Sequence, residues 1–241
     1  MKNILVTGGA GFIGSHTCLV LLENGYNLYV IDSFENSSPE SLNRVIKIYK
    51  KNFNTKLNVF KGSLCNKKFL LDVFYQIEKR NHKIHGVIHF AGVKSVAESM
   101  VNPIMYWKIN IIGTINLLDI MSEFGSQNLV FSSSAMIYQT DDNRLLKESS
   151  KVSPINPYGN TKFTIETILK DLFKYSEKKW KFASLRYFNP IGAHPSGFLG
   201  EDPRGNPNNI FPLICNTALG IQKELMIYGN DWPTADGTAI R

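Results

Sequence analysis

Residues 4–14 read ILVTGGAGFIG, and this stretch decides the fold. A short β-branched run ends in a glycine-rich turn, and an apolar helical pattern opens directly behind it. Gly8, Gly9, Gly11 and Gly14 satisfy both G-x-x-G-x-x-G and G-x-G-x-x-G in the strand–turn–helix setting that gives the pattern meaning. Backbone must approach a phosphate there, and glycine leaves both the room and the dihedral freedom. The following helix presents unpaired N–H groups and the positive end of its dipole, so the turn is expected to receive a dinucleotide pyrophosphate. Asp32 closes the next strand, LYVID (28–32), where a carboxylate can bond the adenosine ribose hydroxyls. No Arg or Lys stands at 33–35 to hold a 2′-phosphate, so NAD is expected in preference to NADP.

The alternation continues outward from this turn. LNVF (57–60), GVIHF (86–90), NLVFSS (128–133) and FASLRYF (182–188) read as further strands. Helical patterns fill about 12–24, 39–51, 67–80, 102–124 and 158–176. Apolar strands alternating with helices predict an α/β fold, a Rossmann-type doubly wound parallel sheet with ligands at the carboxyl ends of its strands. After Phe188 the texture changes to NPIGAHPSGFLGEDPRGNPNN (189–209), a loop rich in Pro, Gly and Asn. A helix over about 209–219 and a short strand LMIYG (225–229) are expected beyond it. The chain stops in DGTAIR, which reads as truncation within a small C-terminal substrate domain.

Composition excludes several classes. The 241 residues are 43% hydrophobic and 20% charged, ordinary for a globular protein. No apolar run approaches the roughly 18 residues of a membrane span, and the opening is a strand rather than a signal peptide. Cys18, Cys65 and Cys215 are scattered and read as reduced thiols of a cytoplasmic protein. Residues 44–83 hold 11 Lys/Arg against Asp72 and Glu78, a local charge of +9 in a chain of net +7. Apolar residues interleave with these cations, so the segment reads as the solvated outer face of two helices, and neither a nucleic-acid nor a membrane partner is expected. His82, His85 and His89 are spaced like metal ligands, but no cysteine or carboxylate cluster joins them. They read as structural, and no metal is expected.

The chemistry lies at the end of the fifth strand. Ser132, Ser133 and Ser134 occupy its carboxyl end, and Tyr158 and Lys162 follow four residues apart in YGNTK, on one face of a helix. A free tyrosine ionises near about 10, too high for a base at neutral pH. The Lys162 ammonium and a positive nicotinamide ring are expected to lower that value. Ser134 is placed to pass a proton between a substrate hydroxyl and Tyr158 as the carbon beneath gives hydride to NAD.

TGGAGFIG, HFAG, SSSA, YGNTK and LRYFNPIGAHPSG occur in the order found in the extended short-chain dehydrogenase/reductases, which the chain resembles. Within that group, HFAGVKSVAES (89–99), the GAHPSG…GEDP…GNPNN block and YGNDWPTADGT (228–238) resemble the UDP-glucose 4-epimerase family along the entire chain. The resemblance implies a tightly held NAD that takes hydride from sugar C4 and returns it to the opposite face of the 4-keto sugar. UDP-galactose and UDP-glucose then interconvert with no net redox change, within galactose metabolism. It implies a homodimer that pairs the helices over 102–124 and 158–176, with Met105, Ile109, Ile112, Ile168 and Leu172 turned outward.

The resemblance also distributes the binding residues. Gly8, Gly11, Phe12, Ile13 and Gly14 would line the pyrophosphate. Asp32, Ser33, Asn36, Ser37, Ser63 and Leu64 would surround the adenosine. Phe90, Ala91, Gly92, Lys94, Asn110, Ser134, Tyr158, Lys162 and Phe188 would complete the nicotinamide side. Lys94, Ser134, Tyr158, Asn189, Asn209 and Arg241 would meet the substrate, with Arg241 at the diphosphate, where a bidentate cation suits the chemistry. The implied domains are an NAD-binding Rossmann domain over 1–188 and the start of a UDP-sugar-binding region over 189–241. Some positions depart: Ser63 replaces an adenine-contacting Asp, Ile137-Tyr138-Gln139 stands where the family has VYG, and Met136 replaces a small residue or Thr. Sister 4,6-dehydratases carry an Asp-Glu pair where Ala135 and Met136 stand, and non-catalytic NAD-sensing relatives lose the Tyr/Lys pair that this chain keeps.

Overall fold

A computed structural model describes residues 1–49, 56–80, 82–139, 145–177, 179–205, 207 and 209–238. The strands are β1 (Asn3–Thr7), β2 (Asn27–Asp32), β3 (Leu57–Lys61), β4 (Ile84–His89), β5 (Asn128–Ser134) and β6 (Lys181–Tyr187). All pair in parallel, in the order β3-β2-β1-β4-β5-β6. β1 touches both β2 and β4, so the winding direction reverses at its carboxyl end, where this topology opens a crevice.

Two-residue periodicity builds both cores. Leu5 of β1 joins Tyr29, Ile31, Phe74, Leu117 and Ile165 in one buried cluster. Its neighbour Val6 turns to the opposite face, among Leu28, Val30, Cys18, Leu19 and Leu42. The helices α1 (Phe12–Glu23) and α2 (Pro39–Ile48) therefore cover one face. The other face is covered by α3 (Lys67–Glu78), by α6 (Gly113–Glu123) and by α7 (Pro157–Tyr175).

Three elements differ from the sequence reading. A short α4 (Val96–Val101) was not anticipated; Ser95 caps it by accepting the Glu98 N–H, and Ser95-x-x-Glu98 is the spacing of a capping box. The helix expected over 102–124 comprises α5 (Pro103–Tyr106), a π-helical stretch Trp107–Ile112, and α6. LMIYG forms no strand: Met226, Ile227 and Tyr228 are exposed, and an unpartnered strand leaves its backbone groups unpaired. Of the residues expected to face outward, Ile112 is exposed, whereas Ile168 and Leu172 pack against the core.

The chain forms two compact units, Met1–Glu201 and Asp202–Arg241. The first includes residues 189–201, because Leu199 is buried in the cluster of Val6 and Ala10. The second contains α8 (Ile210–Ala218). No helix among the described residues is long and apolar enough to cross a membrane.

Candidate active site

The β1–α1 turn is folded tightly. Gly8 has φ +69, and a Cβ there would lie 2.6 Å from the Ala91 nitrogen; a Cβ on Gly14 would lie 2.2 Å from the Gly8 carbonyl oxygen. Side chains of Ser38, Asn66, Ser95 and Asn156 cap α2, α3, α4 and α7, but α1 starts at Gly11 with no side-chain cap. The first-turn amides at Phe12, Ile13 and Gly14 thus stay available to an anion. Asp32, buried at the end of β2, accepts hydrogen bonds from Ala10 N (2.9 Å), Phe34 N (2.9 Å) and Ser37 Oγ (2.8 Å). A carboxylate offers roughly four lone-pair positions, so one remains for a ribose hydroxyl. A cradle that any Cβ would fill, an uncapped helix start and an oriented carboxylate fit NAD.

The other adenosine-side residues are unequally placed. The Ser33 hydroxyl accepts the Glu35 N–H at 3.4 Å, and Asn36 is exposed on the same loop. Ser63 lies beside Asp32 because Gly62 N donates to the Asp32 carbonyl at 3.0 Å, but its own hydroxyl already accepts the Cys65 N–H. Leu64 packs into the core cluster.

The nicotinamide-side loop after β4 is tied to its surroundings at several points. Phe90 N and Ala91 N both donate to the Thr7 carbonyl. His89 lies between Thr7 Oγ1 (2.7 Å from Nδ1) and Thr114 Oγ1 (2.9 Å from Nε2). Thr114 donates its one hydroxyl proton to the Asn110 carbonyl, so the imidazole carries its proton on Nε2 and accepts from Thr7 on Nδ1. Asn110 sits in the π-helical stretch; its Oδ1 accepts Val93 N, and its Nδ2 donates to Val93 O and Thr161 Oγ1. The Asn110 amide therefore clamps the 91–94 loop to α7. Gly92 is exposed on that loop, and Lys94 Nζ lies 3.4 Å from Glu201 Oε1.

At the end of β5, Ser134 Oγ accepts the Met136 N–H at 3.2 Å, and its hydroxyl lies near enough to the Tyr158 phenol to favour the ionised form. Lys162 Nζ donates to the Ser132 carbonyl at 2.9 Å and stands 5.8 Å from the centre of the Tyr158 ring. α7 comes this close because residue 159 is glycine: a Cβ there would lie 2.5 Å from the Met136 carbonyl oxygen. Tyr106 meets Tyr158 edge-on at 6.5 Å and is itself held by Glu98 of α4 at 2.7 Å. Burial pushes the Tyr158 phenol above its ordinary value, and the nearby Ser134 hydroxyl only partly opposes this. Burial also brings Lys162 down to about 8. The protein alone therefore does not lower the phenol as the sequence reading expected. That reading included a second positive charge, the nicotinamide ring.

Several residues missed by the sequence reading belong here. Glu166 follows Lys162 at helical spacing on the same face of α7, a signal present in YGNTKFTIE, and it pairs with Arg186 of β6 at 2.7 Å. Phe188 and Asn189 are exposed just past Tyr187, which the β5–β6 register places opposite Ser134. Asn209 begins α8 in the second unit, and Arg241 lies outside the described residues. The histidines have protein partners: His85 Nδ1 accepts Asn3 N at 3.1 Å, and His82 meets the Tyr29 hydroxyl.

The family model described as GDP-mannose 4,6 dehydratase matches residues 5–241. UDP-glucose 4-epimerase 2 of Arabidopsis thaliana is 47% identical over 240 residues, spanning 100% of this chain and 67% of that protein. The UDP-glucose 4-epimerase of Bacillus subtilis (strain 168) is 45% identical over 238 residues, 99% of this chain and 67% of that protein. The chain belongs to the UDP-glucose 4-epimerase family. Its fold agrees with the crystal structure of the Bifidobacterium longum family member in complex with NAD+ and UDP, with TM-score 0.90 and 40% identity over 98% of this chain and 68% of that one. The chain thus spans about two thirds of the length of the epimerases it matches.

Proposed function

We infer that the protein is an isomerase that interconverts UDP-galactose and UDP-glucose at sugar C4. The observation that carries this reading is the convergence of Tyr158, Ser134 and Lys162 at the carboxyl end of β5, on a sheet whose β1–α1 turn fits NAD. Bound NAD supplies a hydride acceptor that also returns the hydride. Tyr158 takes the C4 hydroxyl proton and gives it back. Ser134 bridges phenol and substrate, and Lys162 supplies positive charge beneath the ring. Ala135 and Met136 hold no acid for chemistry at C5 or C6, which separates this site from the dehydratase named by the matching family model.

The remaining assignments rest on the same reading. Phe12, Ile13 and the turn glycines bind the pyrophosphate; Asp32, Ser33, Asn36, Ser37, Ser63 and Leu64 surround the adenosine. Phe90, Ala91, Gly92 and Phe188 border the nicotinamide, and Asn110 holds its loop. Lys94, Asn189, Asn209 and Arg241 bind the UDP-sugar, the last two from the region that follows the Rossmann domain. The protein works in the cytoplasm as a homodimer, with neither nucleic acid nor membrane as partner. In support of the dimer, Ile104, Trp107, Ile112 and Ile115 leave an exposed apolar stripe along α5–α6.

The test is Tyr158→Phe in the active enzyme, which keeps the ring and removes the proton acceptor. Turnover of UDP-galactose is expected to fall about 10²–10⁴-fold with NAD and UDP-sugar still bound. Near-normal turnover would remove Tyr158 from the mechanism.

A further inference from the structure

Three residues on one face of α7 engage three consecutive serines of β5. Lys162 Nζ donates to the Ser132 carbonyl at 2.9 Å, and the Tyr158 phenol has the Ser134 hydroxyl beside it. Glu166 Oε1 accepts from Ser133 Oγ at 2.6 Å. Ser133 and Glu166 are 2% and 3% exposed. Arg186 completes the arrangement from β6, where it stands opposite Ser133 in the strand register. Its Nε and Nη2 fork onto the two Glu166 oxygens at 3.0 and 2.7 Å. Its Nη1 donates to Tyr138 OH at 2.8 Å and to the Glu148 carbonyl at 3.0 Å. One carboxylate on α7 thus joins adjacent residues of β5 and β6.

Burial opposes ionisation of Glu166, but the bonds from Arg186 and Ser133 outweigh it and hold the carboxyl below its usual range. Such a buried pair is a poor source of stability, because apolar residues of similar volume often do as well or better. What it adds is direction. Apolar contact would hold α7 on the sheet yet allow it to slide along the strand. A carboxylate with three donors fixed on two strands does not.

We propose that Glu166 is a positioning residue that, through Ser133, sets the register of α7 against the end of β5 and so fixes Ser134 and Lys162 relative to the Tyr158 phenol. The assignment rests on the reading of Tyr158 as the proton-transferring group.

Two variants test it. Ser133→Ala deletes the link with the least change in packing. The double variant Glu166→Met/Arg186→Met replaces the ion pair by apolar side chains. In each, Tyr158 ionisation is followed by ultraviolet difference titration against the same protein carrying Tyr158→Phe, with thermal unfolding recorded alongside. The titration needs neither cofactor nor sugar, so its result is independent of the epimerase reading, which turnover decides. Moving the Ser134 hydroxyl away from the phenol is expected to raise the apparent ionisation of Tyr158 by about half to one pH unit, the size of one hydrogen bond. Ser134→Ala should move it in the same direction, and the double variant should unfold near the parent's temperature. An unshifted or lowered Tyr158 in folded Ser133→Ala overturns the proposal, and this single variant decides the matter if the double variant does not fold.

Discussion

His89 is uncharged in the folded protein. Burial, and secondarily the Lys162 ammonium, lower its pKa from 6.5 to about 3, while Thr7 and Thr114 satisfy both ring nitrogens of the neutral form. The unfolded chain therefore binds a proton that the folded chain refuses between those values. The contribution of His89 to stability is complete above 6.5 and is lost as pH falls toward 3. The urea midpoint of the parent should fall more steeply through this window than that of His89→Gln. Parallel pH dependences would show that His89 takes no part in acid unfolding. The residue matters to the site because the same hydrogen-bond chain reaches the Asn110 carbonyl and, through Thr7, the backbone at Ala91.

Among the elements, α7 carries Tyr158, Lys162 and Glu166, and its entry is set by a few backbone contacts. Asn156 caps it by accepting the Gly159 N–H at 2.8 Å, and Pro157 follows at the first helical position. Alanine for glycine in a helix usually stabilises by about 0.5–1 kcal/mol. At position 159 the sign should reverse, because the new Cβ would lie 2.5 Å from the backbone oxygen of Met136, which has no flexible end to move aside. Gly159→Ala is expected to cost about 1–3 kcal/mol of stability, the usual range for overpacking. It should also separate Tyr158 from Ser134. A denaturant midpoint at or above the parent's would show that the contact relaxes without strain.

At the scale of the whole molecule, Ile104, Trp107, Ile112 and Ile115 form an exposed apolar stripe along α5–α6. Trp107 and Ile112 are five residues apart across the π-helical stretch, a spacing that its wider turn keeps on one side. A twofold contact that buries this stripe with its copy is isologous, so one substitution alters it twice. If the proposed dimer forms through this stripe, Ile112→Glu should convert it to a monomer in sedimentation equilibrium without unfolding it. A parent that sediments as a monomer at every concentration would reject the dimer.

The sequence by itself determined the strand–helix alternation, the dinucleotide turn and the Tyr158/Lys162 pair, because each is written in local spacing. Periods of two and of 3.6 residues select faces, and glycine marks backbone that must come close to something. α4 went unread, although Ser95-x-x-Glu98 carries the spacing of its cap. Tertiary structure alone decided what depends on residues distant along the chain. Arg186 finds Glu166 because β6 pairs with β5. Asn110 becomes a loop clamp because the π-helical stretch brings it to Val93 and Thr161. LMIYG has a strand-like pattern, but a strand exists only where a neighbour accepts its backbone hydrogen bonds, and no stretch of sequence contains its own neighbour.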